Sequence, residues 1–275
     1  MRTLRKGASG QEVSMLQNLL KDKGYPVSTD GIFGVQTHVS VCQFQKQSNL
    51  TADGIVGAAT WNALMDDTSK IKADETKQQS VASSTTNIDF SEAAKVLNVD
   101  EAAIRAVHQV ESGGRNGFLS DGKPIILFEG HIFWGQLRKF GIDPDKYVQG
   151  NEDILYPKWT KAFYKGGEAE HGRLKRAMNI DRQAALSSAS WGMFQIMGFN
   201  YKLCGYNSVE EYVAAMENSQ QNQFMAFVSF LQATGMDAPL RKLDWAAFAR
   251  QYNGPGYAQN NYDKKLAEAF HKFKQ

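Results

Sequence analysis

Apolar residues recur at helical spacing in the first 65 residues of the chain. One stretch places four of them on a single face of a helix: Val13, Leu16, Leu19 and Leu20. A second stretch repeats the pattern more loosely, with Val39, Val41 and Phe44. A period near 3.6 residues indicates amphipathic helices that bury one face. Because turns containing Asp-Gly separate these segments, the pattern predicts a compact head of three helices.

The pattern stops between Trp61 and Phe90, where no aromatic residue occurs and Ser, Thr, Gln, Lys and Asp predominate. Such a segment has little apolar surface to bury and cannot offset the entropy lost on ordering. We therefore predict a head at residues 1–66, a flexible linker at 67–89 and a body at 90–275. The body is long enough for a core of its own.

The body begins with two predicted helices, for which Ser91 and Asp100 are the expected N-terminal caps. An apolar face identifies the second of these helices: Ile104, Val107 and Val110. Paired glycines follow this helix directly and end it. With further helical segments downstream, the fold class predicted for the whole chain is mainly α.

Glu111 lies in the last turn of that second helix, beside the glycine pair. The negative end of the helix dipole and the apolar surroundings both raise the pKa of this carboxyl group. A glutamic acid that stays protonated near neutral pH is what a general acid requires. The alternative is a solvated glutamate at a helix end, with no catalytic role.

Two other carboxylates follow Glu111 along the chain. Glu129 lies in an apolar stretch, where an unpaired charge is costly, so it needs either an active-site role or a partner such as His131. Asp121 belongs to the sequence Asp-Gly-Lys-Pro and is either a turn residue or a second active-site carboxylate in a loop.

Two later segments carry side chains suited to a sugar, and the candidates for substrate binding are Gln195, Trp191, Tyr252, Asn253 and Tyr257. The first two lie in a run of small and apolar residues at 185–198, which we predict to be a helix approached closely by another element. Gln195 is expected to bond an acetamido or hydroxyl group. The last three lie at a helix end, where aromatic faces and amides suit sugar rings. Ordinary core packing is the alternative for both segments.

The head contains an internal repeat, in which Asp30-Gly-Ile-Phe-Gly-Val-Gln-Thr37 recurs as Asp53-Gly-Ile-Val-Gly-Ala-Ala-Thr60. With the flanking motifs, this repeat resembles the peptidoglycan-binding domain of cell-wall hydrolases over most of residues 3–65. The resemblance implies attachment to the cell wall. Asp30 and Asp53 either contact the wall polymer or serve only as turn formers. Four apolar residues of these motifs are expected in the core: Leu16, Leu20, Phe44 and Trp61.

Four segments of the body resemble a lysozyme-fold muramidase over about residues 90–273. In order they are Val110-Glu-Ser-Gly-Gly, Lys123-Pro-Ile-Ile-Leu-Phe-Glu-Gly-His-Ile-Phe, Ser190-Trp-Gly-Met-Phe-Gln-Ile and Ala249-Arg-Gln-Tyr-Asn-Gly. The second is most similar to the N-acetylmuramidase domain of modular phage endolysins, which often join it to an N-terminal peptidoglycan-binding head.

This resemblance implies a lysozyme-like helical catalytic domain that cleaves the β-1,4 bond between N-acetylmuramic acid and N-acetylglucosamine. It makes Glu111 the general acid. Glu129 is the first choice for a second carboxylate, and Asp121 is the runner-up. Bacterial peptidoglycan is the implied substrate, and the implied biological role is degradation of the host wall during lysis.

The charge and the residue counts help to decide between the alternative functional classes of protein. The formal net charge is +2, and neither part of the chain has the basic excess of a nucleic-acid binder. Two cysteines cannot form a disulfide framework. The five histidines are scattered without a ligand pair, so we expect no metal and no cofactor, and a metal-dependent amidase is disfavoured. A lytic transglycosylase and a non-catalytic wall-binding virion protein stay open as alternatives.

No apolar run approaches the roughly 20 residues that a membrane span needs, and no apolar stretch follows the basic start of the sequence. We expect a monomer, made in the host cytoplasm without a signal peptide, that reaches the wall after holin-type release. The terminal segment 262–274 carries Leu266, Phe270 and Phe273 on one side, among lysines. It either docks on the core or touches an anionic envelope surface.

Overall fold

The structure is a computed structural model that describes residues 2–25, 27, 29–65 and 88–275. The chain divides into two compact units, Met1–Ser84 and Thr85–Gln275. Both units are built mainly of helices, so the predicted fold class is confirmed. Most of the predicted linker at 67–89 lies outside the described residues, and the predicted domain boundaries stay predictions.

Within its described residues, the first unit contains three helices, α1 (Gln11–Asp22), α2 (Val35–Gln47) and α3 (Ala58–Met65). Short antiparallel bridges join Leu4 to Val56 and Ser9 to Ile32. The helices enclose one apolar core, which includes all four of the residues expected there: Leu16, Leu20, Phe44 and Trp61. The helical spacing of the sequence therefore identified both the helices and the face that they bury.

A buried glutamine holds each Asp-Gly turn of the first unit. Gln17 Nε2 donates to Asp30 Oδ1 at 2.8 Å, and its Oε1 accepts from the N–H of the following glycine at 2.8 Å. Gln45 makes the same pair of bonds with Asp53 Oδ1 at 3.0 Å and the next glycine at 2.9 Å. Asp30 and Asp53 are therefore turn formers whose Oδ1 atoms are engaged within the unit.

The second unit contains ten α-helices: α4 (Phe90–Leu97), α5 (Glu101–Ser112), α6 (Gly130–Lys139), α7 (Glu168–Met178), α8 (Arg182–Ser187), α9 (Val209–Asn218), α10 (Gln220–Ala233), α11 (Asp237–Arg241), α12 (Trp245–Asn253) and α13 (Tyr262–Lys274). Short 3-10 helices span Pro144–Tyr147, Gly198–Asn200 and Pro255–Asn260. Asp100 caps α5 as predicted, accepting from Ala102 N at 2.9 Å. The predicted Ser91 cap is wrong, because α4 begins at Phe90 and its cap is Asp89, two residues before Ser91.

A three-stranded antiparallel sheet lies within the second unit, in the order β1 (Ile126–Phe128), β2 (Ala189–Trp191) and β3 (Ile196–Met197). The helix predicted over residues 185–198 is therefore wrong after α8 ends at Ser187. Gly192 and Gln195 both have positive φ, 68° and 52°, and this left-handed backbone reverses the chain between β2 and β3.

The terminal helix α13 packs against α5. Ala102, Ala103 and Ala106 form the α5 side of this contact, and Ala269 and Phe270 form the other side. Leu266 is fully buried on the same helix. This packing matches the alternative in which the terminal segment docks on the core, and small alanine side chains allow the close approach of the two helices. No helix among the described residues has the length and apolar character needed to cross a membrane.

Candidate active site

Glu111 occupies the last turn of α5, as the sequence predicted. Gly113 and Gly114 follow with positive φ of 59° and 75°, and this backbone ends the helix. Asn253, the last residue of α12, donates through Nδ2 to Glu111 Oε2 at 3.2 Å. The end of α12 therefore meets the end of α5 at this carboxyl group. Tyr252, the neighbour of Asn253, packs between Phe227 and Phe248.

Burial raises the pKa of Glu111 to about 7, while the hydrogen bond from Asn253 acts in the lowering direction. The other carboxyl oxygen, Oε1, is buried and has no hydrogen-bond partner among the described residues, and the same holds for Asn253 Oδ1. When the Glu111 carboxyl group is protonated, it provides one O–H donor in the region of these two unpaired oxygens. Glu111 is therefore an acid that can hold its proton near neutral pH.

Glu129 follows β1 directly and occupies the position before α6. Its predecessor Phe128 is held on both sides of its backbone by a buried ion pair of α7. Glu170 Oε2 accepts from Phe128 N at 3.1 Å, and Arg173 Nη1 donates to Phe128 O at 3.0 Å. The two side chains also pair with each other at 2.8 Å. This fixed strand end determines where the Glu129 side chain begins.

Two aromatic side chains hold the Glu129 carboxylate. The Tyr164 hydroxyl donates to Glu129 Oε2 at 2.6 Å, and His131 Nδ1 lies 3.3 Å from the same oxygen. The structural pair with His131, the alternative left open by the sequence, is therefore present. A phenol donor at this distance provides a strong hydrogen bond and orients the carboxyl group. Glu129 is a largely buried, oriented carboxylate.

Asp121 lies in an exposed turn of the loop between Glu111 and β1. Its Oδ1 accepts from Lys123 N at 3.0 Å, and its Oδ2 pairs with Lys123 Nζ at 2.5 Å. These bonds with Lys123 lower the pKa of Asp121 to about 2. The turn interpretation describes this residue well, because its carboxylate is ionised and paired with Lys123 at the surface.

Two predicted sugar-binding residues lie in the small sheet and are used within the fold. Trp191 is only 2% exposed and donates through Nε1 to Leu186 O at 3.2 Å, so it presents no ring face to a sugar. Gln195 donates to Ile125 O and Gly192 O and accepts from a neighbouring serine hydroxyl. These bonds brace the sheet and occupy the amide that was expected to bind an acetamido group.

The C-terminal candidates divide into two groups. Asn253 and Tyr252 belong to the surroundings of Glu111, and burial raises the pKa of Tyr252 above its ordinary value, so this phenol stays neutral. Tyr257 is half-buried in the 3-10 helix after α12, with the Arg250 guanidinium 5.8 Å from its ring centroid. Contact of these residues with substrate stays a prediction.

Gln223 of α10 is a residue that the sequence analysis missed. It is 2% exposed, and its Oε1 accepts from Met193 N at 2.8 Å, in the turn between β2 and β3. Its Nε2 donates to Gly117 O at 3.3 Å, in the loop after Glu111. A Cβ added at Gly117 would lie 1.9 Å from Gln223 Oε1, and one at Gly192 would lie 2.6 Å from its Cδ. The side-chain amide of Gln223 thus joins two loops, the one that follows Glu111 and the one that follows β2.

Replacing Gln223 by Met should destabilise the body, because Met keeps the approximate volume but leaves the Met193 N–H without its acceptor. A buried unpaired donor costs roughly 1–3 kcal/mol. Chemical denaturation of the full chain measures this loss. The matched control is Gln232→Met on the exposed side of α10, for which we expect a change below about 0.5 kcal/mol. Equal stability of the two variants would refute the bridging role.

The pKa of Glu111 predicts a pH-dependent penalty on stability. Because the folded-state pKa of about 7 exceeds the ordinary value of 4.5, the folded state binds the proton more tightly than the unfolded state. The stabilisation that this tighter proton binding gives to the folded state is complete below about pH 4.5 and is lost as the pH rises through 7. The difference in unfolding free energy between Glu111→Gln and the wild type should therefore grow by about 3 kcal/mol over this range. A difference independent of pH would contradict the raised pKa.

Comparisons with known proteins place both units in described families. The sequence model of the N-acetylmuramidase family matches residues 100–274, more than half of the chain. That of the peptidoglycan binding domain matches residues 9–64. The crystal structure of the endolysin of Burkholderia phage AP3 is similar over 99% of both chains, with 41% sequence identity and a TM-score of 0.63.

Curated relatives match over a shorter segment. The zinc D-Ala-D-Ala carboxypeptidase of Streptomyces albus G is 42% identical over 67 residues, which are 22% of this chain and 26% of that protein. The spore cortex-lytic enzyme of Bacillus cereus is 40% identical over 63 residues, 22% of this chain and 24% of that protein. The match therefore spans about a quarter of the length of these relatives.

Proposed function

Because this chain belongs to the N-acetylmuramidase family, we propose that it hydrolyses the β-1,4 bond between N-acetylmuramic acid and N-acetylglucosamine in bacterial peptidoglycan. The observation that carries the proposal is Glu111, a buried acid with a pKa of about 7 at a glycine-ended helix. Its second carboxyl oxygen, Oε1, is buried and makes no hydrogen bond within the described residues. The similarity to a phage endolysin over the whole chain supports the same class of enzyme.

Glu111 acts as the general acid in this mechanism. Cleavage of a glycosidic bond requires a proton on the leaving oxygen, and the protonated Glu111 carboxyl supplies it. Asn253 holds one carboxyl oxygen through its amide, and the other oxygen makes no hydrogen bond within the described residues, so it carries the proton in this proposal. Bond breaking produces positive charge at the anomeric carbon, where water adds to give the new hydroxyl group and its proton returns to the Glu111 carboxylate.

Glu129 is the second carboxylate of the proposal. An ionised carboxylate stabilises the oxocarbenium-like charge that develops during cleavage. The hydrogen bond from Tyr164 holds this carboxylate in one orientation, with His131 Nδ1 3.3 Å away, so little reorganisation is needed when the charge develops. Asp121 is the less suited candidate, because its charge is already paired with Lys123 in solvent.

The first unit, in this proposal, attaches the enzyme to its insoluble substrate. Its match to the peptidoglycan binding domain supports this role. Attachment of one unit raises the local concentration of the other at the polymer. The site of action is the cell wall, and we infer a holin-type pore as the route by which the enzyme reaches it, by analogy with the phage endolysin that it resembles.

Mass spectrometry of the soluble products tests the reaction. Purified peptidoglycan is digested with the full chain and reduced with borohydride. Reduced muramic acid at the new ends is the result expected for a hydrolytic muramidase. Anhydro-muramic ends would identify a lytic transglycosylase, and free stem peptides would identify an amidase or peptidase. Absence of any soluble fragment would favour a non-catalytic wall-binding protein. Each of these last three outcomes overturns the proposal.

A further inference from the structure

Trp159 is the most exposed large apolar side chain among the described residues, with 59% of its surface open to solvent. It lies in the connection between the 3-10 helix Pro144–Tyr147 and α7. A single exposed apolar residue needs no special explanation on its own. Trp159 is distinguished by the side chains to which it is joined.

Trp159 is connected to Glu129 through one intervening side chain. The Trp159 side chain interacts with the Tyr164 hydroxyl, and that hydroxyl donates to Glu129 Oε2 at 2.6 Å. Most of the surface of an indole is ring carbon, so the exposed area of Trp159 is largely an apolar ring.

The surroundings of Trp159 are basic. The residues from 156 to 167 include Lys158, Lys161 and Lys165 and contain no Asp or Glu. All three lysines are exposed, and Lys161 Nζ lies 5.7 Å from the Trp159 ring centroid. Within the described residues none of the three forms an ion pair, so these charges are available to an anionic ligand.

We propose that Trp159 is a stacking platform for a pyranose ring of the glycan strand, with Lys161 beside it to bind a carboxylate of the attached stem peptide. An apolar ring face suits the C–H face of a sugar, and a cation next to it suits a glycan that carries acidic peptides. This proposal rests on the proposed function and names a substrate-binding position for it. Tyr164 joins this platform to the carboxylate that stabilises the developing charge.

Steady-state kinetics on soluble, uncross-linked peptidoglycan strands tests the platform. Trp159→Ala should raise KM about tenfold and change kcat less than about threefold, because the lost stacking acts on binding. Trp159→Phe keeps an aromatic face and should stay within about threefold of the wild-type KM. Phe140→Ala, at the opposite end of α6 from Glu129, is the control and should leave KM unchanged. An unchanged KM in Trp159→Ala, or an equal loss in Trp159→Phe, would overturn the platform.

A second comparison tests the role of Lys161. Lys161→Gln should raise KM for strands that carry stem peptides and leave it unchanged for strands from which an amidase has removed them. Equal effects on both substrates would refute the carboxylate contact. Binding of the same strands to Glu111→Gln variants, with and without Trp159→Ala, repeats the test without catalysis. If the wild type releases only stem peptides, the proposed function fails, whereas the binding result still decides on Trp159.

Discussion

Replacing Glu111 by Gln is expected to lower kcat by roughly 10³–10⁴-fold, the upper range for a general acid. The amide keeps the size of the side chain and can keep the contact with Asn253, whose amide donates to Glu111 Oε2 at 3.2 Å. It cannot transfer a proton to the leaving oxygen. Binding should change little, so the loss should appear in kcat rather than in KM. Release of reducing ends from purified peptidoglycan measures both.

The matched control for this variant is Glu101→Gln, at the other end of the same helix. Glu101 is half-buried and pairs with Arg105 at 2.7 Å. A surface pair of this kind contributes little, so we expect activity within about twofold of the wild type. A Glu111→Gln enzyme that keeps more than about a tenth of wild-type kcat would remove Glu111 from the role of acid.

Replacing Glu129 by Gln should lower kcat by roughly 10²–10³-fold, the cost of removing one oriented group that stabilises transition-state charge. The amide can still accept the Tyr164 hydrogen bond, which measures 2.6 Å to Glu129, and so preserves the packing. It supplies no negative charge to the oxocarbenium-like centre. The expected signature is a loss of kcat with an intact fold, as measured by kinetics and thermal unfolding.

Asp121→Asn is the comparison that separates the two candidate carboxylates. Asp121 is ionised, exposed and paired with Lys123, so we expect its replacement to leave kcat within about threefold of the wild type. A loss as large as that of Glu129→Gln would favour Asp121 as the second carboxylate. An active Glu129→Gln enzyme together with an inactive Asp121→Asn enzyme would reverse our assignment.

Local sequence signals predicted the helical part of the site. The Asp100 cap, the apolar face of the helix and the following glycines identify α5 and place Glu111 in its last turn. Each of these signals acts within one or two turns of the chain, and for that reason it is visible in the sequence. The rise in the pKa of Glu111 also follows from this local setting, and burial proves to be its main cause.

Long-range contacts explain what the sequence could not predict. Tyr164 reaches Glu129 across 35 positions, and Gln223 reaches Gly117 across 106. The sequence around a tyrosine or a glutamine does not indicate which distant residue will be its hydrogen-bond partner. Gln223 follows Gln220, Gln221 and Asn222, so the sequence does not single it out, although burial of its amide requires hydrogen bonds.

The prediction of a helix over residues 185–198 failed for a different reason. Its small and apolar residues are compatible with a buried helix or with short buried strands, and periodicity alone does not separate the two. The positive φ of Gln195 is decisive in the structure but has no sequence marker, since this backbone is uncommon for residues other than glycine. Gly192 was the visible signal for a turn.

The pH dependence of kcat/KM tests the central claim most directly, because it reports the ionisation of the acid in the free enzyme. With the pKa of Glu111 near 7, the general acid is lost as the pH rises above that value. We predict that kcat/KM on soluble peptidoglycan strands falls about tenfold per pH unit on the alkaline side of pH 7. A profile that stays flat from pH 6 to about 9 would show that no group with this pKa delivers the proton.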